Sequence, residues 1–157
     1  MIAKNELLKK YNISEDEFEV ADIKWEELEY IYKDFSEKRS SYEQKLAEFQ
    51  KEFLMNISEN GIHSIRTRVK DAEHLIVKII RKRQENYKKY RTLDKDNYEK
   101  FLTDLIGIRC FILFKADWKK FHAYLEEKIE DIVKIAKIYD VSLENMIKTL
   151  TVIYEEE

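Results

Sequence analysis

The stretch HSIRTRVKDAEHLIVKIIRKR, residues 63–83, decides how the rest of the chain is read. Wound at about 100° per residue, it places Leu75, Ile76, Ile79 and Ile80 on one apolar arc. His74, Lys78 and Arg81, at i, i+4 and i+7, line the opposite side. Asp71 is the expected N-cap, with His74 at the third helical position, and Arg68 and Lys70 stand just upstream. Backbone donors at a helix start, flanked by long cations, are what a polyphosphate needs. The same pattern also describes a solvated basic face on an amphipathic helix, so the helix alone leaves two readings open.

Outward from this helix, composition sets the limits. The chain has 157 residues, 44% of them hydrophobic and 13% aromatic, enough for a sizeable core. Its 39% charged residues nearly cancel to a net charge of −3, so any anion site has to be local rather than a global basic field. There are no prolines and only two glycines, Gly61 and Gly107, which favours long helices with few tight turns. Cys110 stands alone inside the apolar run CFILF, which excludes an intrachain disulfide, fits a reducing compartment and reads as a buried thiol. His63, His74 and His122 lack zinc-ligand spacing, and no apolar run reaches the length of a membrane span. Together these point to a cytoplasmic protein without a membrane partner.

N-terminal to the basic helix, the pattern is helical from residue 1 to 60. Ile2, Leu7, Leu8 and Tyr11 mark a short amphipathic segment, and Ser14 with Glu17 forms a capping-box pattern for a second. Trp25, Leu28, Tyr32, Phe35, Tyr42, Leu46, Phe49 and Phe53 follow 3–4 spacing, as one long helix or as two broken near Ser36 or Ser40. Asn60-Gly61 reads as a helix stop with Gly61 at positive φ. C-terminal to the basic helix, Gln84 to Asp96 reads as a loop, and Asp94 or Asp96 is the expected cap of a short helix carrying Tyr98, Phe101 and Leu102. TDLIGIRCFILF, residues 103–114, is the best strand in the chain, apolar enough to lie in a sheet interior. Asp104 and Arg109 are its charged exceptions. They form either a structural ion pair or a metal or phosphate site at the sheet edge. Helical spacing returns from Asp117, Ser142 is an expected N-cap, and residues 149–154 read as helix or second strand.

Arg68-Val-Lys70, His74, Lys78 and Arg81-Lys82, followed by Asp104-Leu-Ile-Gly107-Ile-Arg109, resemble the RelA/SpoT-like alarmone synthetase domain. Members of that family move pyrophosphate from ATP to the 3′ hydroxyl of GDP or GTP, making the stringent-response alarmone (p)ppGpp. The resemblance implies an α+β fold: a helix-rich N-terminus, residues 1–60, packed on a small nucleotidyltransferase-like sheet within residues 61–157. It implies that Arg68, Lys70, His74, Lys78, Arg81 and Arg109 bind ATP, and that Asp104 holds Mg²⁺. Such chemistry asks little covalent work of a protein and much positioning of charge.

Two departures stand out. The family's serine is His74 here. The family's later Tyr-x-Ser-x-His-like and Glu-x-Gln-like stretches, which hold the acceptor guanine and activate its hydroxyl, have no counterpart between Phe114 and Glu157. The chain therefore reads as the ATP-binding part of an incomplete domain without a general base, inactive by itself and open to a homo-oligomeric or complementing partner. Two further readings remain: a non-catalytic nucleotide-binding module, and a toxin-like relative acting on the 3′ end of tRNA. The net charge argues against a large RNA footprint.

Overall fold

The computed structural model describes residues 3–54, 59, 61–85 and 88–138. The element order is α1 (Lys4–Lys10), α2 (Glu15–Val20), α3 (Trp25–Phe53), β1 (Ser64–Val69), α4 (Ala72–Gln84), α5 (Tyr98–Phe101), β2 (Ile106–Phe111) and α6 (Lys115–Ile138). The protein is thus mixed α and β, mostly helical, with a small two-stranded antiparallel sheet among the described residues. The expected Ser142 cap and the 149–154 segment lie outside those residues. None of the described helices is long and apolar enough to cross a membrane.

The chain divides into two compact units. The first comprises Met1–Ser41 and Lys70–Leu105, the second Tyr42–Val69 and Ile106–Glu157. In the first unit the apolar arc of α4 is the centre of the core: Leu75, Ile76, Ile79 and Ile80 are all fully buried. Leu7, Leu8, Phe18, Leu28, Ile31, Phe35 and Tyr98 complete this core, and α2 packs directly on α4. The capping box is present: Glu17 N–H donates to Ser14 Oγ at 3.1 Å, and Ser14 N–H donates to Glu17 Oε2 at 2.7 Å. Those bonds satisfy backbone donors that a six-residue helix would otherwise leave to water. Arg83 closes the unit from the far end of α4. Its guanidinium donates to the carbonyls of Ala21, Asp22, Arg91 and Leu93, so this cation is structural.

One open choice is settled and two local expectations are corrected. The long helix runs unbroken from Trp25 to Phe53, because Ser36 bonds its hydroxyl back to the Tyr32 carbonyl at 2.6 Å and points along the helix instead of interrupting it. It ends at Phe53, well before Asn60-Gly61, although Gly61 does take φ +76. Neither Asp94 nor Asp96 caps α5. Asn97 occupies the cap position, while the Asp94 side chain accepts from the Asp96 N–H at 2.9 Å. Tyr98, the first residue of α5, instead anchors the helix through its hydroxyl, which donates to Asp34 at 2.6 Å.

The second unit holds the sheet. β1 pairs with β2 in the register Arg66↔Arg109 and Arg68↔Gly107. One face carries Ile65, Ile108 and Cys110 against a cluster of Leu54, Ile62 and Phe121, with Trp118, Tyr124 and Leu125 of α6 packed on it. The other face is polar. β2 is therefore half-buried, not the two-sided interior strand its composition predicts, and Leu113 and Phe114 beyond it are 62% and 66% exposed. The physical reason is its only described partner. β1 alternates Ile65 and Val69 with Arg66 and Arg68, so it can bury one face only.

Candidate functional site: two lysines on one aspartate

Where β1 ends, the Lys70 N–H donates to the Leu105 carbonyl at 2.8 Å, which ties the start of α4 to the entry of β2. That single bond sets Lys70 and Asp104 side by side. Lys70 Nζ reaches Asp104 Oδ2 at 2.7 Å, and Lys78, two turns into α4, reaches Oδ1 at 2.7 Å. The Lys78 contact is an ion pair outside hydrogen-bonding geometry, leaving Oδ1 buried with no hydrogen-bond donor. Lys70 is the most enclosed of the three side chains at 12% exposure, against 29% for Lys78 and 38% for Asp104. Burial by itself would raise the Asp104 pKa, but the Lys70 hydrogen bond and the positive charges of Lys70 and Lys78 outweigh it and hold the carboxyl below its usual range.

Asp71 is the N-cap of α4, as its position predicts: its carboxylate accepts from Glu73 N–H at 2.9 Å and His74 N–H at 3.2 Å. This changes the expected phosphate mouth. The early backbone donors of the helix are already engaged by a side chain, so a polyphosphate near α4 would meet the lysines rather than the helix start. His74 is exposed, and its ring lies edge-on to Tyr11 with centroids 5.5 Å apart. Arg81, further along the same face, lies near enough to Glu17 to add to the lowering of that carboxyl, a shift due first to the Ser14 backbone and side-chain hydrogen bonds. Arg68 and Arg109 belong to the sheet of the second unit. Of the sequence-derived residues, the structure therefore brings together Lys70, Lys78 and Asp104.

Among the described residues no three His, Cys, Asp or Glu side chains gather as a metal site. Both Asp104 oxygens already contact an ammonium, so a bare divalent ion would have to displace a lysine. Mg²⁺ keeps its waters and takes one or two carboxylates plus substrate phosphates. The donor set fits an ion that arrives on a nucleotide, whose phosphates can accept the lysines that leave Asp104. Sequence reasoning missed β1 and, with it, Arg66; the period-two alternation of SIRTRV was the available signal. It also missed Lys10 and Tyr11, which both donate to Glu73 in the first turn of α4. Comparison of the chain with protein-family models, with curated proteins and with solved structures finds no match.

Proposed function

We propose that Lys70, Lys78 and Asp104 form the polyphosphate-binding part of a RelA/SpoT-like pyrophosphotransferase site that takes ATP as donor. The observation that carries this reading is the convergence of two lysines, from the end of β1 and from α4, on one half-buried aspartate. A carboxylate so placed keeps both ammoniums pre-aligned in the absence of ligand. A triphosphate offers each lysine a stronger charge-assisted partner, and the exchange frees the Asp104 oxygens. Mg²⁺, when bound with the nucleotide, neutralises charge on the phosphates, and Asp104 is the residue that would hold it. By the resemblance, His74 and Arg81 of the same unit add to the donor site, and the acceptor is the 3′ hydroxyl of GDP or GTP. Transfer joins that oxygen to the β-phosphorus and releases AMP.

A second reading, nucleotide binding without turnover, is favoured by the state of Asp104. Held ionised by two lysines, it is a poor proton acceptor at neutral pH and unsuited to the general-base role. Calorimetry with a non-hydrolysable ATP analogue and Mg²⁺ tests the shared premise. Lys78→Ala is expected to weaken binding by about 1–3 kcal/mol, the worth of a charge-assisted contact. No saturable binding by the wild type, or an unchanged affinity in Lys78→Ala, refutes both readings. Incubation with ATP and GTP then separates them: labelled pppGpp shows the enzyme, and binding without product shows the module.

A further inference from the structure

The polar face of the sheet carries three arginines that the nucleotide site does not account for as a group. Arg66 and Arg68 alternate along β1, and Arg109 stands directly across from Arg66 on β2. All three are exposed, and none makes an ion pair or hydrogen bond with another described side chain. Directly opposed residues on antiparallel strands lie about 5 Å apart at Cβ, where like charges destabilise the pair. The chain as a whole has more acidic than basic residues, 32 against 29, so the three cations are not a by-product of a basic composition. Their like charge is concentrated on one face of the strand pair, and among the described residues no carboxylate pairs with any of them.

The remaining residues of that face keep it open. Gly107 lies opposite Arg68, and a Cβ built there would meet only the Arg68 side chain, Cγ at 3.7 Å and Nε at 3.8 Å. The absence of a side chain at 107 therefore leaves room beside the Arg68 guanidinium. Phe111 supplies an aromatic surface: the Arg66 guanidinium carbon lies 5.4 Å from its ring centroid. A guanidinium in cation–π contact with a ring still has N–H groups to offer an anion. Arg66 and Arg68, two residues apart on a strand, are spaced by about 7 Å. A small ligand prefers a concave pocket, whereas an open strand pair with spaced guanidiniums and an aromatic suits an extended strand of phosphates and bases.

We infer that the Arg66–Arg68–Arg109 face, with Phe111 at its end, is a binding surface for single-stranded nucleic acid. The guanidiniums contact successive phosphates, and the Phe111 ring and the guanidinium planes accept unstacked bases. This does not require the nucleotide site to exist, and Arg66, which that site does not use, carries the test.

The experiment is fluorescence anisotropy of the whole chain with a labelled mixed-sequence RNA 12-mer at 50 and 200 mM salt. Three phosphate contacts give a slope of log affinity on log salt near −2, so the fourfold rise in salt weakens binding by roughly 20-fold. Arg66→Ala reduces the slope by about 0.7 and weakens binding several-fold at 50 mM salt, while Arg66→Lys keeps the slope. Because Arg66→Ala relieves repulsion with Arg109, its thermal midpoint is expected at or above that of the wild type. Should it fold poorly, Arg66→Gln is read in the same way. No RNA binding at 50 mM salt, an unchanged slope in the neutral variant, or equal displacement by polyglutamate overturns the inference. So does complete displacement by ATP with Mg²⁺ together with an Arg66→Ala loss of ATP affinity, which would make this face a nucleotide site. Failure of the Lys70–Lys78–Asp104 reading is distinguishable, since Lys78→Ala then leaves ATP binding unchanged whatever the RNA result.

Discussion

Replacing Asp104 with Asn tests the centre of the proposed site, because it keeps the shape and removes the charge that two lysines share. Breaking a fully buried ion pair costs about 3–5 kcal/mol. Asp104 is 38% exposed and Lys78 29%, so solvent screens part of the attraction. Lys70 at 12% is the partner left least solvated. A loss of about 1–2 kcal/mol is expected at neutral pH, or roughly 2–8 °C in thermal midpoint for a chain of this size. The pH dependence has a definite sign. The folded-state pKa of Asp104 is lowered, so its contribution is fully present above the unfolded value of about 3.9 and is lost as pH falls through the lower folded value. The difference between wild type and Asp104→Asn is therefore expected near neutrality and should vanish in acid.

Ligand binding gives the sharper assay. Without metal, Asp104 competes with phosphate for both lysines, so Asp104→Asn is expected to bind tripolyphosphate in EDTA up to about tenfold more tightly. With Mg²⁺, the wild type gains a carboxylate ligand that the variant lacks. The wild-type affinity for a non-hydrolysable ATP analogue should thus rise about tenfold or more on adding Mg²⁺, and that gain should disappear in Asp104→Asn. Titration calorimetry in the two buffers measures both. An equal Mg²⁺ effect in the two proteins, or weaker tripolyphosphate binding by the variant, refutes the idea that Asp104 both holds the lysines and receives the metal.

Elsewhere the structure sets further expectations. Gly61→Ala would put a Cβ 2.5 Å from the Asp117 carbonyl oxygen at φ +76, so a loss above about 1 kcal/mol is expected in urea denaturation. Ser14→Ala removes half of the capping box and should cost about 1 kcal/mol by the same measurement; an unchanged midpoint would mean that α2 is held by packing alone. Tyr98→Phe leaves the ring in the core but deletes the hydroxyl bonded to Asp34, with an expected cost of about 1–2 kcal/mol. Cys110 has its pKa pushed up to about 11 by burial. Its thiol should react with an aromatic disulfide reagent at pH 8 far more slowly in the folded protein than in denaturant; equal rates would contradict its place in the α6-facing core.

Short-range chemistry was readable from the residues alone. The apolar arc of α4, the Asp71 cap and the Ser14–Glu17 box depend on partners within four positions, so periodicity and side-chain type define them. The positive φ of Gly61 follows from the same local logic. Cations were legible only as cations. Lys78 and Arg81 line the same side of the sequence pattern, yet Lys78 meets Asp104 and Arg81 lies near Glu17, while Arg83 at the helix end is spent on four backbone carbonyls.

What tertiary structure alone decided are the pairings between distant segments. The sequence by itself determined that the 63–83 stretch holds an amphipathic helix with a basic face, and that 103–114 favours a strand. It could not determine that β2 pairs with an arginine-bearing strand, which leaves one face open, or that Arg66 stands opposite Arg109. Nor could it determine that Lys70 and Lys78 share Asp104, more than twenty residues away. Strand register and ion pairing depend on which surfaces the core brings together. A helix carries its hydrogen-bond partners within its own segment, whereas a strand or an isolated carboxylate has to find them elsewhere in the chain.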